Sequence, residues 1–503
     1  MNTTIKAIAL AAVIALVAVT LVSEDSSAVE FTSGGFQYET VGSSTTNVTV
    51  VGWEGDSSEI TIPETVSYNN RTYTIVSISV EAFKDKTNLT IVDMSKASHI
   101  ESIGANAFSG SGVTTVTLPS SLETIGAGAF AGSKLSTINL PDTLVTIGAN
   151  AFEGTAITSV SMGSHVTSLG NSAFSGCTSL EEVTISSGVR NLGESVFSGC
   201  TSLKTVTWTP TGTNNHTIGD SVFSGCSALE SFVIPDSTTS IGDSAFSGCT
   251  ALRDIAIPDT VRTIGANAFS ASGVRTVELP DSVTSLGDSA FSDCRSLTEV
   301  TLSTGIDDIP AGAFSGCTSL SKVNFAEDGL ETVGTGAFQS TGLTAISFPE
   351  GVTAIGDSAL ADCPSLASVT LPVSLRTLGD RVMESCPSLT TINVAERSTA
   401  FSSVDGVLFG NGGDVLLKYP AASTATSYEV PEGVTSISAA AFDHSLNLTM
   451  VDIPASVTAI GEGAFAGCSG IREILIASTE LTVADGAFDL SDGGEPVSVE
   501  IFT

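Results

Sequence analysis

Basic residues are scarce in this chain: 18 Lys and Arg stand against 54 Asp and Glu, giving a formal charge of -36. Such a surface lacks the cations that neutralise phosphates, which argues against binding nucleic acid or an anionic membrane. Large aromatic anchors are also few, with 2 Trp and 5 Tyr. The four histidines, His99, His165, His216 and His444, are far apart and lack the spacing of metal ligands. There is no CxxC pair, no GxSxG elbow, no HExxH, no P-loop and no EF-hand loop. No catalytic, cofactor-binding or metal-binding residue can therefore be named, and no enzyme is expected.

What is present is repetition. The segment Leu279 to Leu302, LPDSVTSLGDSAFSDCRSLTEVTL, recurs along most of the 503 residues. Its aromatic position runs from Phe83 and Phe108 through Phe246, Phe269 and Phe291 to Phe338, then Leu360, Met383, Phe442, Phe465 and Phe488. Successive intervals are 22 to 26 residues, except for 59 between Met383 and Phe442. A fixed period of this length specifies a solenoid. Burying one Phe or Leu contributes about 1.5 to 3 kcal/mol, whereas each ordered residue costs about 1 to 2 kcal/mol. A single coil cannot stand alone, so each must share its apolar area with both neighbours.

Each repeat has two halves. In Ser296 to Leu302 the alternation turns Leu297, Val300 and Leu302 inward, as in the short parallel strand of a leucine-rich repeat. The second half passes through a Pro turn, a short extended Val-x-x-Leu piece and Gly287. It ends in one helical or 3-10 turn carrying Ala290 and Phe291, with Asp288 at the N-cap position. The IGxxAF glycines, Gly242 and Gly265 among them, read as turn residues. The expected fold is thus a repeat solenoid of the leucine-rich α/β type, mostly short parallel strands with short helical or 3-10 turns, closed by an N-terminal β cap.

Around that array the chain divides into segments. Residues 1–28 read as a signal peptide or membrane anchor: Lys6, an apolar run from Ala7 to Val22, then Ser26-Ser27-Ala28 in the form of a cleavage site. Residues 29–75 alternate apolar and polar positions and form the expected β-rich cap, with a hairpin at Tyr68 to Tyr73. Repeats occupy 76–394. Residues 395–430 hold apolar runs around Asn411-Gly412-Gly413-Asp414, a β-hairpin insertion that either pairs with the stack or replaces a coil. Further repeats and a closing strand fill 431–503. The nine cysteines, from Cys177 to Cys468, each lie three residues after the aromatic position, where a small buried thiol fits and Ser111, Thr155 and Ser272 substitute elsewhere. Bridges between neighbouring coils, such as Cys177 with Cys200, remain open.

These repeats resemble the BspA-type leucine-rich repeat, whose unit reads close to LPxSVTxIGxxAFxGCxSLxxVxL; Ile234 to Ile257 is one such copy. The Phe401 to Phe409 insertion also recurs in such proteins. The resemblance implies an exported or surface-displayed protein with roles in adhesion. Partners would be extracellular or surface proteins, host matrix proteins among them. It implies no catalytic residues, and family members differ widely in ligand.

The use of a solenoid lies in its flank. With Leu297, Val300 and Leu302 inward, the residues between them face out, and the candidate binding face is Thr115, Thr117, Glu182, Thr184, Thr205, Thr207, Asp254, Thr276, Glu278, Glu299, Thr301, Lys322 and Asn324. This face is small, polar and mildly acidic, suited to weak multivalent contact. A monomer is expected, with no cofactor, no nucleic acid and no membrane contact beyond the N-terminal segment. Stacked acids, Asp220 with Asp243 and Asp236 with Asp259 and Asp281, form a second pattern, which salt or a divalent cation should relieve.

Overall fold

A computed structural model describes residues 28–212, 215–326, 329–478, 480–490 and 498–501. The expected leader, residues 1–28, lies almost wholly outside them. The chain winds into a β-solenoid of about 19 coils with three sides. One side carries the strands of the first half-repeat, paired in parallel from coil to coil, as in Thr276↔Glu299↔Lys322 and Val277↔Val300↔Val323. A second carries two-residue strands such as Thr124–Ile125, which pairs with Ser102–Ile103 before it and Thr146–Ile147 after it. Val300 and Leu297 are wholly buried, and Phe246, Phe269 and Phe291 fill the axis with no exposed surface.

The third side is the segment expected to be one helical or 3-10 turn. Here i→i+3 turns alternate with residues at positive φ, so successive turns do not merge into a helix: Ser289 and Asp293 have φ of 56° and 54°. Every second amide thereby points along the axis. Phe246 N–H donates to Ala268 O at 2.7 Å and Phe269 N–H to Ala290 O at 2.8 Å, a third ladder that joins each coil to the next. The rings stack in the same direction, Phe246–Phe269 and Phe269–Phe291 both at 5.1 Å between centroids. The left-handed positions fall on Asn267, Ser289 and Gly312, small or polar residues that tolerate that region.

The IG glycines have a different role from the turn expected of them. Gly265 lacks a positive φ; a Cβ there would sit 2.6 Å from the Asp243 amide nitrogen, so glycine lets one coil lie against the last. The aspartates that follow also serve a neighbour and not their own turn. Asp243 N–H donates to Asp220 Oδ1 at 2.9 Å, and Ala266 N–H to Asp243 Oδ1 at 2.8 Å. The stacked acids therefore hold the next coil's backbone.

All nine cysteines are buried free thiols. Each sulfur reaches back one coil, Cys249 Sγ lying 3.2 Å from Phe223 O and Cys200 Sγ 3.1 Å from Phe174 O. Burial pushes the Cys249 thiol up to about 12.

At the N-terminal end, Glu30–Ser33, Phe36–Thr40 and Asn47–Trp53 form an antiparallel meander that joins the second ladder through Arg71–Ile78. Thr65–Tyr68 pairs antiparallel with Arg71–Ile78 around Asn69 and Asn70, whose φ of 49° and 62° suit a tight hairpin.

The insertion does both things that its sequence allowed. Phe401–Val404 and Val407–Gly410 form one hairpin about Asp405-Gly406, and Val407–Gly410 pairs again with Val415–Lys418. The Phe401 to Phe409 run is thus two strands and not one. Val415–Lys418 then enters the second ladder against Ser436–Ile437. Tyr419 takes the aromatic place missing from the long interval, stacking on Phe442 at 5.2 Å.

Both strand ladders lapse at this joint, and so does the single core: one apolar cluster runs to Leu408, and a second spans Val407 to Leu490. Charges bridge it. Lys418 is buried with its Nζ on Asp443 Oδ1 and on Ala440 O, while Asp443 Oδ2 accepts the Ser385 amide at 2.6 Å. Burial lowers the Lys418 pKa to about 8. No helix among the described residues is long and apolar enough to cross a membrane.

Candidate functional site

The outward positions of the first ladder are placed by the strands themselves. Alternation buries every second side chain, giving exposed–buried–exposed patterns in Thr115–Thr117 and Thr276–Glu278. Parallel pairing without slippage then aligns the exposed ones into two rows. Thr115 pairs with Thr137. Glu182 and Thr184 stand between Ser159 and Ser161 on one side and Thr205 and Thr207 on the other. Thr276 and Glu278 lead to Glu299 and Thr301, then to Lys322 and Asn324.

The last of these groups is tied together by polar contacts. Glu299 Oε1 accepts from Lys322 Nζ at 2.6 Å and from Asn324 Nδ2 at 2.7 Å; the same amide nitrogen lies 3.0 Å from Thr301 Oγ1. These hydrogen bonds, that from Lys322 first, hold the Glu299 carboxyl below its ordinary range. Thr301, Glu299 and Asn324 are half-buried in consequence, whereas Thr205, Thr207 and Lys322 stay exposed.

Asp254 sits apart from that order. The ladder is continuous in Ser159–Ser161, Glu182–Ile185 and Thr205–Trp208, and again in Thr276–Glu278, Glu299–Thr301 and Lys322–Asn324, but between the two runs it shrinks to single bridges, Thr205↔Ser231 and Ser231↔Asp254. Here the sequence reading missed Val233, which is 80% exposed in the outward row, beside Pro235 and the buried Trp208. Its signal was legible. Leu229, Phe232 and Ile234 hold the inward spacing of Leu297, Val300 and Leu302, which turns Val233 out.

Among the described residues no three His, Cys, Asp or Glu side chains converge to hold a metal ion. The histidines stay dispersed. His216 is buried beside Trp208, His444 rests against Asp443 at 3.3 Å, and His99 lies 3.5 Å from Glu64. The geometry is that of a repeat scaffold presenting long polar rows.

Comparison with known proteins places that scaffold. The family model "BspA type Leucine rich repeat region" matches residues 58–112, 101–215, 216–341, 298–405 and 421–493. The chain belongs to this BspA-type leucine-rich repeat family. A solved leucine-rich repeat protein from Bacteroides ovatus is 28% identical, covers 73% of this chain and 95% of its own, and superposes with a TM-score of 0.65. A leucine rich cell surface protein from Faecalibacterium prausnitzii is 20% identical over 92% of this chain and 86% of its own, with a TM-score of 0.34. One from Eubacterium ventriosum is 19% identical over 76% of this chain and all of its own, at 0.42. No curated protein sequence matches the chain.

Proposed function

We propose that this chain is an exported, surface-associated interaction module that binds protein partners through the outward rows of its first ladder. The observation that carries the reading is the register. Parallel pairing repeats the same two outward positions over many coils, so contacts too weak to matter singly add along one partner. Membership of a repeat-scaffold family supports it. The net charge of -36 favours partners with basic surfaces and keeps the chain soluble. On the same reading residues 29–75 cap the first coil, the meander shielding an apolar end that water would otherwise reach.

The test is proximity labelling on intact producing cells with the wild-type chain and with a variant carrying E299A, T301A, K322A and N324A. The expected result is a saturable surface protein partner whose labelling the variant loses. An intracellular location, or labelling unchanged by the variant, would sink the proposal; recovery of the chain only in insoluble envelope would assign it a passive structural role instead.

A further inference from the structure

Where the first ladder lapses, the surface opens. Three adjoining hollows follow one another along the axis, with volumes of about 580, 410 and 420 Å³. The first is lined by Trp208, Pro210, Val233 and Pro235; the other two share Asp259, Glu278 and Pro280. They lie beside the strand rows, over the Pro turns that end the half-repeats. Thr260 joins the first to the second: it lines the first, its hydroxyl lies 2.7 Å from Asp236 O, and Asp259 precedes it in the chain.

Three independent features give this trough a chemical character. Among the described residues the backbone of Val233–Ile234 and Ala256–Ile257 enters no strand pairing and no backbone hydrogen bond, and these residues line the hollows. Val233, at 80% exposure, presents an aliphatic surface among the polar or small outward residues Thr207, Ala256 and Glu278 of the neighbouring coils. Among the described residues Asp236, Asp259 and Glu278 enter no ion pair, and Asp281 is engaged only by the Thr304 amide and hydroxyl at 3.1 and 2.9 Å. The carboxylates are strung out along the axis, one or two per coil, and do not converge on a point as metal ligands do. A ligand that satisfies them is itself long and carries spaced positive charge.

We propose that this trough holds an extended cationic segment of a partner polypeptide. Its Lys or Arg side chains rest on Asp236, Asp259 and Glu278, an aliphatic side chain covers Val233, and its peptide groups meet the unpaired ones of the lapsed ladder. Four coil steps of about 5 Å give room for roughly six extended residues. The inference deepens the interaction reading above, on which it rests, by naming a second surface and the chemistry of what it takes.

Fluorescence anisotropy with the labelled octapeptide (KV)4, and with (EV)4 as its acidic counterpart, tests it on the full chain at physiological salt. The variant D236N/D259N/E278Q removes the three negative charges, keeps one side-chain oxygen at each position and leaves the Asp281–Thr304 contacts untouched; E101Q/E123Q/E331Q removes equal charge from exposed positions ahead of the second ladder. Binding of (KV)4 should weaken about tenfold in the first variant, as for loss of complementary charges, and less than twofold in the second. V233S should weaken it about threefold, as for loss of one aliphatic contact. Equal weakening by both charge variants would mean bulk attraction only and would overturn the trough, as would tight binding of (EV)4 or none of (KV)4. Those failures leave the strand-row reading intact, because its variant E299A/T301A/K322A/N324A is scored separately on cells.

Discussion

The coils of Phe246, Phe269 and Phe291 and the joint between Met383 and Phe442 face the same demand: a row of backbone amides must find acceptors in the next coil. In the regular coils the next copy of the same turn supplies them, Phe269 N–H on Ala290 O and Ala271 N–H on Ser292 O, while stacked rings fill the axis. At the joint the inserted hairpin displaces that copy. Asp443 takes over the Ser385 amide, and its charge is balanced by Lys418 inside the protein. Periodicity satisfies backbone groups without polar side chains in the core; an interruption has to import a charge and then a partner for it.

The sharpest way to break the comparison is D443A, which strands the Lys418 ammonium and the Ser385 amide together. Removing one partner of a buried pair costs about 3 to 5 kcal/mol, and the orphaned amide adds about 1 kcal/mol or more. Urea unfolding should then split into two transitions, the coils after Tyr419 melting first. The double variant K418M/D443N keeps an acceptor for Ser385 and should restore most of the loss.

In the regular block F269A should cost about 3 to 5 kcal/mol, yet unfolding should stay a single transition, since both neighbours share the damage.

A smaller effect separates the thiol column from its surroundings. Burial raises Cys249 to about 12 and Cys468 to about 11, against 9.0 unperturbed. The folded chain keeps protons that the unfolded chain sheds, so this stability is complete below pH 9 and lost as pH rises towards 11 to 12. Melting temperature should fall across that window, and less steeply in C249S. Iodoacetamide should modify no cysteine at neutral pH until denaturant is added.

The smallest effect belongs to the exposed rows: K322A should leave the melting temperature unchanged, because a surface ion pair contributes little.

Much of this was legible from spacing. The inward set Leu297, Val300 and Leu302, the Phe column and the cysteine layer all follow from a period that places equivalent residues in equivalent surroundings. The third side was harder. IGxxAF has the composition of a short helix, and only coordinates show that Asn267 and Ser289, two residues past the glycine, carry the left-handed backbone. A positive φ leaves no hydropathy signal, and Ser or Asn occurs at such points as readily as in any turn. The joint was opaque for another reason. Asp443 and Ser385 are 58 residues apart, and nothing periodic links them. Strand alternation makes the outward rows readable as a face, but Val233 escapes a search for polar pairs because its side chain is apolar.

The direction of the backbone bonds also has a mechanical side. Since the hydrogen bonds of all three sides run from coil to coil, they lie along the long axis, and a pull on the two ends loads them in series. Under tension the molecule would come apart winding by winding, beginning at the joint between Met383 and Phe442, within which both strand ladders lapse, and each freed winding would release more than twenty residues of slack.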